Sequence, residues 1–300
     1  MPPDSEASPW RRGRLTARAG QPELLFGRMY EDRAIELEVF ATGGRAFCIA
    51  SAGCTAFELA ARGDDVTAVD VNPAQVSYVQ ARLVGEPPVE GRVERLLRRA
   101  RSVAPLLGWD AGDVQRFCNL EDVHEQARVW RTELETRRFR LAVGAALRPL
   151  GLRLAYAGDF VAAVPRRFDR VLRRRLERGF RLHPNRHNPY AAQLLLGQGI
   201  SAEVPCGAPL ELACADAAEY LEACPRASFD GFSLSNILDG AAVSYADRLL
   251  RAVRRAAAPG AMLVLRSLAE PARSQDDRWA ARDRSFLWGS VHVERLGRRP

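Results

Sequence analysis

Residues 46–83 read AFCIASAGCTAFELAARGDDVTAVDVNPAQVSYVQARL, and this stretch decides the fold. Ala46 to Ala50 is a short apolar run ending in small residues, the pattern of a strand buried on both faces of a parallel sheet. Thr55 to Arg62 has helical character and is closed by Gly63. Val66 to Val69 is a second buried run, ending at Asp70. Pro73 stands where a first helical turn begins, and Ala74 to Leu83 continues that turn. Strand, helix, strand and helix joined by tight turns open a doubly wound, Rossmann-like α/β domain.

Upstream, Leu24 to Phe40 carries apolar residues at helical spacing and predicts a helix. Met1 to Gly20 is rich in Pro, Ser and Arg, lacks the apolar core of a secretory signal, and reads as a loose tail over residues 1–22. Residues 23–84 then form the N-terminal helix and the first half of the α/β domain. Downstream the alternation stops. Gly85 to Gly199 is helical in period, most clearly at Arg92–Arg101, Leu120–Leu147 and Phe168–Phe180. Residues 85–205 therefore read as a large helical insertion between the second and third strand units, lying over the strand ends on the acceptor side. Residues 206–300 supply the second half. Within them, strands are expected from Leu210, at Phe229–Leu234 and at Ala261–Arg266. Helices are expected at Asp216–Ala223 and Ser244–Ala257, and a closing hairpin at Phe286–Leu296.

The 300 residues, 47% of them apolar and 27% charged, suit one large domain with an insertion. No apolar run reaches the roughly eighteen residues of a membrane span. The net charge is +7, and every basic residue is arginine. Arginine grips carboxylates and phosphates in a fork, so a nucleic acid, an anionic membrane surface or a carboxylate ligand would all suit the charge. Cys48, Cys54, Cys118, Cys206, Cys214 and Cys224 include no CxxC pair, which points to reduced thiols and a cytoplasmic protein rather than a disulfide or zinc framework.

Open α/β sheets bind ligands at the carboxyl ends of their strands. The first such turn is Ala50-Ser51-Ala52-Gly53-Cys54-Thr55. Its small side chains let a ligand approach the backbone, and a helix N-terminus follows. The full G-x-G-x-x-G fingerprint is absent, so a plain tight turn explains it equally well. Asp70 ends the second strand seventeen positions after Gly53, an offset at which a carboxylate can accept both hydroxyls of a ribose. It can also simply precede the cap and Pro73 of the next helix. Asp216 can accept from an adenine amino group or cap its own helix, or do both. Together these features favour a nucleoside ligand.

Five stretches carry a resemblance: FGRMYEDRAIE (26–36), FCIASAGCTAFELAARGDDVTAVDVNPAQ (47–75), HPNRHNPY (183–190), FDGFSLSNILDG (229–240) and LRS (265–267). Together they resemble the S-adenosylmethionine:diacylglycerol 3-amino-3-carboxypropyltransferases of betaine-lipid synthesis, from about residue 24 to near the C-terminus. The resemblance implies a class I methyltransferase fold in which the transferred group is not methyl. An acceptor hydroxyl attacks the γ-carbon of the methionine moiety, a homoserine ether forms, and 5′-methylthioadenosine leaves. It also implies that Ser51, Gly53, Asp70, Asn72 and Asp216 hold S-adenosylmethionine, with Ser235, Asn236 and Asp239 in the segment after the fourth strand.

Which carbon lies in line with the nucleophile decides methyl against aminocarboxypropyl transfer, so positioning is the main catalytic device. Arginine suits the amino-acid carboxylate, and Arg28 and Arg186 are the candidates. Asp239 and His187 are candidate bases, and Tyr190, like Tyr30, is a candidate lining residue. Asp239 is equally a turn residue before Gly240, and buried tyrosines are often packing. His183 and His187 are four apart, but Pro184 and Pro189 argue against a helix there and no third ligand is evident, so no metal is expected. Arginines interleaved with apolar residues in RVLRRRLERGFRLHPNRHNPY suit peripheral contact with an anionic bilayer at the inner membrane surface, or a solvated helix face. Methyl transfer and transfer to a soluble natural-product acceptor are the enzymatic alternatives. A third reading is binding without catalysis, but no nucleic-acid module is recognisable and no nucleic-acid partner is expected.

Overall fold

The computed structural model describes residues 9–15, 20–148, 151–153, 158–198 and 210–297. Its centre is a six-stranded sheet in the order β3-β2-β1-β4-β5-β6. The strands are β1 (Arg45–Ile49), β2 (Asp65–Asp70), β3 (Leu210–Cys214), β4 (Phe229–Ser233), β5 (Ala257–Ser267) and β6 (Ser290–Arg295). The first five are parallel, and β6 runs antiparallel to β5 with Val264 opposite Val293. The order reverses between β1 and β4, which is where a doubly wound sheet opens its ligand crevice.

Alternate residues of each strand enter the layers on opposite faces. Phe47 and Phe232 are fully buried on one face with Leu221, Leu249 and Val253, while Ala46 and Cys48 join Phe57, Leu59 and Val79 on the other. α1 (Ala34–Val39) precedes β1, and α2 (Cys54–Ala61) and α3 (Pro73–Leu83) cover this second face. Ala217–Ala223 and Val243–Ala256 cover the first. After α3 the chain leaves the sheet and forms a set of helices before returning at β3. These helices have their own core, in which Trp130, Phe117 and Phe180 are fully buried. The indole of Trp130 lies 4.9 Å from the ring of Phe180, centroid to centroid.

Four expectations give way to tertiary contacts. Only Ala34–Val39 of Leu24–Phe40 is helical. The backbone N–H groups of Leu25 and Phe26 donate to the Gln75 side chain, and those of Gly27 and Arg28 donate to the Glu94 carboxylate. Donors satisfied in this way leave no helical ladder to build. The predicted helix over Leu120–Leu147 is broken into Val123–Val129, a wider turn at Trp130–Leu134, and Arg137–Leu147, with Thr136 capping the last piece through a bond from Phe139 N–H. In place of a hairpin at Phe286–Leu296 there is one strand, β6, which pairs with β5. Within the stretch read as a loose tail, Pro9–Arg12 forms a 3-10 turn and Leu15 is buried against Leu25. Ser274–Arg282 is a further helix that periodicity does not single out.

Candidate functional site

The carboxyl ends of β1, β2, β3 and β4 surround a cleft of about 580 Å³, its open mouth included. Ser51, Asp70, Asn72, Gln75, Ser235 and Asn236 line it together with Trp10, Phe26, Ala217 and Tyr245. Most of the wall is apolar with a few convergent polar groups, the usual make-up of a small-molecule site.

Two turns frame the cleft. After β1, Ser51 (φ 44°) and Gly53 (φ 82°) both adopt left-handed backbone. A side chain at Gly53 would meet the Phe57 ring at 2.7 Å, so glycine is required twice over. After β4, Ser235 (φ 52°) also lies in the left-handed region. Two non-glycine residues held there, on the two strands that flank the switch point, mark backbone that the surroundings fix against its preference.

Asp70 ties the first turn to β2. Its Oδ2 accepts from Ser51 N–H at 2.9 Å and its Oδ1 accepts from Asn72 N–H at 2.9 Å. Burial pushes this carboxyl up to about 6, although those backbone bonds oppose the shift. Each oxygen keeps lone-pair capacity for a diol. Asn72 caps α3 through Ala74 N–H and donates to Glu23 C=O. Gln75 accepts from Leu25 and Phe26 and donates to Ser51 C=O, so one side chain joins the N-terminal segment to the β1 turn. Pattern reading gave no reason to choose Gln75, because a glutamine in a first helical turn usually faces water.

Asp216 caps its own helix, as one of its two sequence readings has it. Its Oδ1 caps the Ala217–Ala223 helix, and its Oδ2 accepts from the Tyr245 hydroxyl at 3.0 Å. The wall of the cleft at this end is formed by Ala215, Ala217 and Tyr245 rather than by the carboxylate itself. Asn236 faces the cleft, while Asp239 is buried behind it. Asp239 accepts from Ser267 Oγ at 2.6 Å, Leu268 N–H at 3.0 Å and Asn236 Nδ2 at 3.2 Å. With both oxygens engaged, it braces the β4 turn against the end of β5.

The structure separates the remaining candidates from the cleft. Arg186 and His187 are exposed and face Glu121 at 3.1 and 3.5 Å. Tyr190 is buried beneath Arg284 and meets the backbone of Arg33. The Tyr30 hydroxyl meets Gln193 and Glu94. His183 turns its Nε2 to Ala281 C=O at 2.8 Å. Arg28 does not line the cleft either; it lies within electrostatic reach of Cys54 at the start of α2, and among the described residues its buried Nε has no hydrogen-bond partner. Several arginines of the Phe168–Leu182 helix are drawn inward or paired, while Arg170 and Arg174 are exposed. Arg175 is buried against Leu268 and Leu287 carbonyls, and Arg173 and Arg178 bind Glu135 and Asp277.

Behind Ser235 lies a charged cluster that the sequence reading did not single out. Arg266 on β5 is fully buried, its guanidinium paired with Glu36 (2.5 and 3.0 Å) and Asp283 (3.1 Å) and 3.5 Å from Glu31. One cation thus faces three carboxylates. Glu31 bonds Ser235 Oγ with its Oε1, while its Oε2 is buried without a hydrogen bond. Burial raises the Glu31 carboxyl to about 7. The stretch FGRMYEDRAIE contains Glu31, but nothing in local pattern tells an acid aimed at β4 from one in water.

Among the described residues, no group of three His, Cys, Asp or Glu side chains could hold a metal ion, and no helix is long and apolar enough to cross a membrane. Cys48, Cys54 and Cys118 are buried thiols, and Cys206 lies outside the described residues. A scan against protein-family models and a search of curated proteins find no match for this chain. Sheet order and cleft position define a Rossmann-like α/β protein.

Proposed function

We propose that this chain transfers the 3-amino-3-carboxypropyl group of S-adenosylmethionine to a hydroxyl, with diacylglycerol as the acceptor, releasing 5′-methylthioadenosine. One observation carries the reading: Ser51, Asp70, Asn72, Ser235 and Asn236, chosen from sequence, converge on one cleft at the switch point of the sheet. The antiparallel last strand and the order β3-β2-β1-β4-β5 suit a class I methyltransferase-like fold. The helices over residues 92–195, between the second and third strands, suit an acceptor-side insertion, although none of them lines the cleft.

The residues suit the ligand part by part. Asp70 offers two carboxylate oxygens to a ribose diol. Ala217 and Tyr245 form the far wall for an adenine ring, with the Asp216 carboxylate just behind. Arg28, with its partnerless Nε, suits the methionine carboxylate beside the N-terminus of α2. A clamped amino-acid end turns the γ-carbon, and not the methyl group, toward the acceptor. A lipid acceptor implies peripheral contact with a bilayer.

The test is mass spectrometry of the nucleoside formed from S-adenosylmethionine in the presence of diacylglycerol vesicles. Enzyme-dependent methylthioadenosine is the expected product. S-adenosylhomocysteine would replace this reading with methyl transfer.

A further inference from the structure

The acceptor hydroxyl must lose a proton, and the two bases suggested by sequence are unsuited to take it. His187 is exposed beside Glu121, and both oxygens of Asp239 are committed to Ser267, Leu268 and Asn236. Ser235 differs from both. It lines the cleft, its backbone is held in the left-handed region, and its hydroxyl points back at the buried carboxylate of Glu31.

We infer that Ser235 and Glu31 form the proton-accepting pair of this cleft, with Ser235 Oγ meeting the acceptor hydroxyl and Glu31 receiving the proton through it. This rests on the proposed transfer reaction. As the acceptor oxygen bonds to the γ-carbon, the carbon–sulfur bond breaks and its electron pair goes to sulfur. The acceptor proton passes to Ser235 Oγ while the serine proton passes to Glu31 Oε1. The sulfonium charge and the carboxylate charge disappear together, leaving a neutral thioether and a protonated Glu31. The alcohol is thus never required to ionise in the cleft.

The surroundings keep Glu31 ready for this role. Four elements face it: Ser235 after β4, Arg266 on β5, Glu36 on the Ala34–Val39 helix, and Asp283 after the Ser274–Arg282 helix. Arg266 is already held by Glu36 and Asp283, at 2.5 and 3.1 Å, so its 3.5 Å approach leaves Glu31 only partly neutralised. Burial raises its carboxyl to about 7, where a base gains and loses a proton most readily near neutral pH.

Two variants of the full chain test the pair, Glu31→Gln and Ser235→Gly. Glycine accepts the left-handed backbone at 235, so the second variant keeps the turn and loses the hydroxymethyl side chain. Nucleoside by-product, product lipid and S-adenosylmethionine affinity are measured with diacylglycerol vesicles from pH 5.5 to 9. The expected result is methylthioadenosine formation by the parent protein, with kcat/KM rising through about 7. Each variant should lose about 10²- to 10⁴-fold, with a flat pH profile and unchanged affinity. Undiminished transfer with the parent pH profile in both variants would overturn the pair and leave the function standing. S-adenosylhomocysteine lost in both variants would overturn the function and uphold the pair as the base for methyl transfer. No turnover by the parent protein would overturn both.

Discussion

The amide of Ser51 donates to Asp70 Oδ2 at 2.9 Å, joining the carboxyl ends of β1 and β2 at the floor of the cleft. The same carboxylate thus shapes the turn and lines the cleft, where the proposed function sets the ribose. Replacing it removes two backbone bonds and the diol acceptor at once. Asp70→Ala should weaken S-adenosylmethionine binding by about 30-fold or more, since a charge-assisted hydrogen bond contributes roughly 1.5–3 kcal/mol. Calorimetric titration of both proteins measures this, and an unchanged affinity would remove Asp70 from the site.

Under the proposed function, Arg28 recognises the amino-acid end of S-adenosylmethionine and not its nucleoside. Its guanidinium sits near the start of α2 with its Nε unpartnered. Arg28→Gln should reduce affinity for S-adenosylmethionine about 10- to 100-fold and leave affinity for methylthioadenosine, which lacks the carboxylate, within twofold. Equal losses for both ligands would show that Arg28 acts on the fold instead.

Trp10 contributes to the cleft wall from the N-terminal turn, and its ring lies 6.3 Å from that of Phe26. Ring stacking on a base contributes about 1–3 kcal/mol in other nucleobase sites. Trp10→Ala should therefore weaken methylthioadenosine binding by roughly tenfold. Ligand-induced quenching of tryptophan fluorescence should shrink in the variant; quenching and affinity both equal to the parent's would place Trp10 outside the site.

Glu31 links the cleft to pH-dependent stability. Its carboxyl moves from an ordinary 4.5 up to about 7 on folding, so the native state binds the proton more tightly than the unfolded chain. Stability is then lost as pH rises from about 4.5 to about 7 and is level above that. The shift corresponds to roughly 3 kcal/mol at most. Glu31→Gln should be more stable than the parent at pH 8 in urea unfolding, with the gap closing toward pH 4.5. A gap that widened on acidification would contradict the raised pKa.

Much of the sheet can be read directly from residues 46–83, because buried parallel strands are short apolar runs and Gly63 and Pro73 punctuate the helices. The cleft residues Ser51 and Asp70, with Gly53 in the turn beside them, follow from strand ends, where position along the chain fixes position in space. Residues placed by tertiary contact were not legible. Leu24–Phe40 has the period of a helix, yet Gln75 and Glu94 take its backbone donors from 49 to 67 positions away. Glu31 meets Ser235 across 204 positions, and no local pattern reports such a pairing. Arg186 and His187 stand apart from the cleft because their short turn faces outward to Glu121.

Isotopic label reports which part of S-adenosylmethionine is transferred. Two batches are compared with diacylglycerol vesicles, one labelled in the carboxyl carbon and one in the methyl carbon. Carboxyl label is expected in the extracted lipid, with methyl label left in the aqueous nucleoside. Methyl label in the acceptor, with carboxyl label remaining in the aqueous by-product, would contradict the proposed transfer.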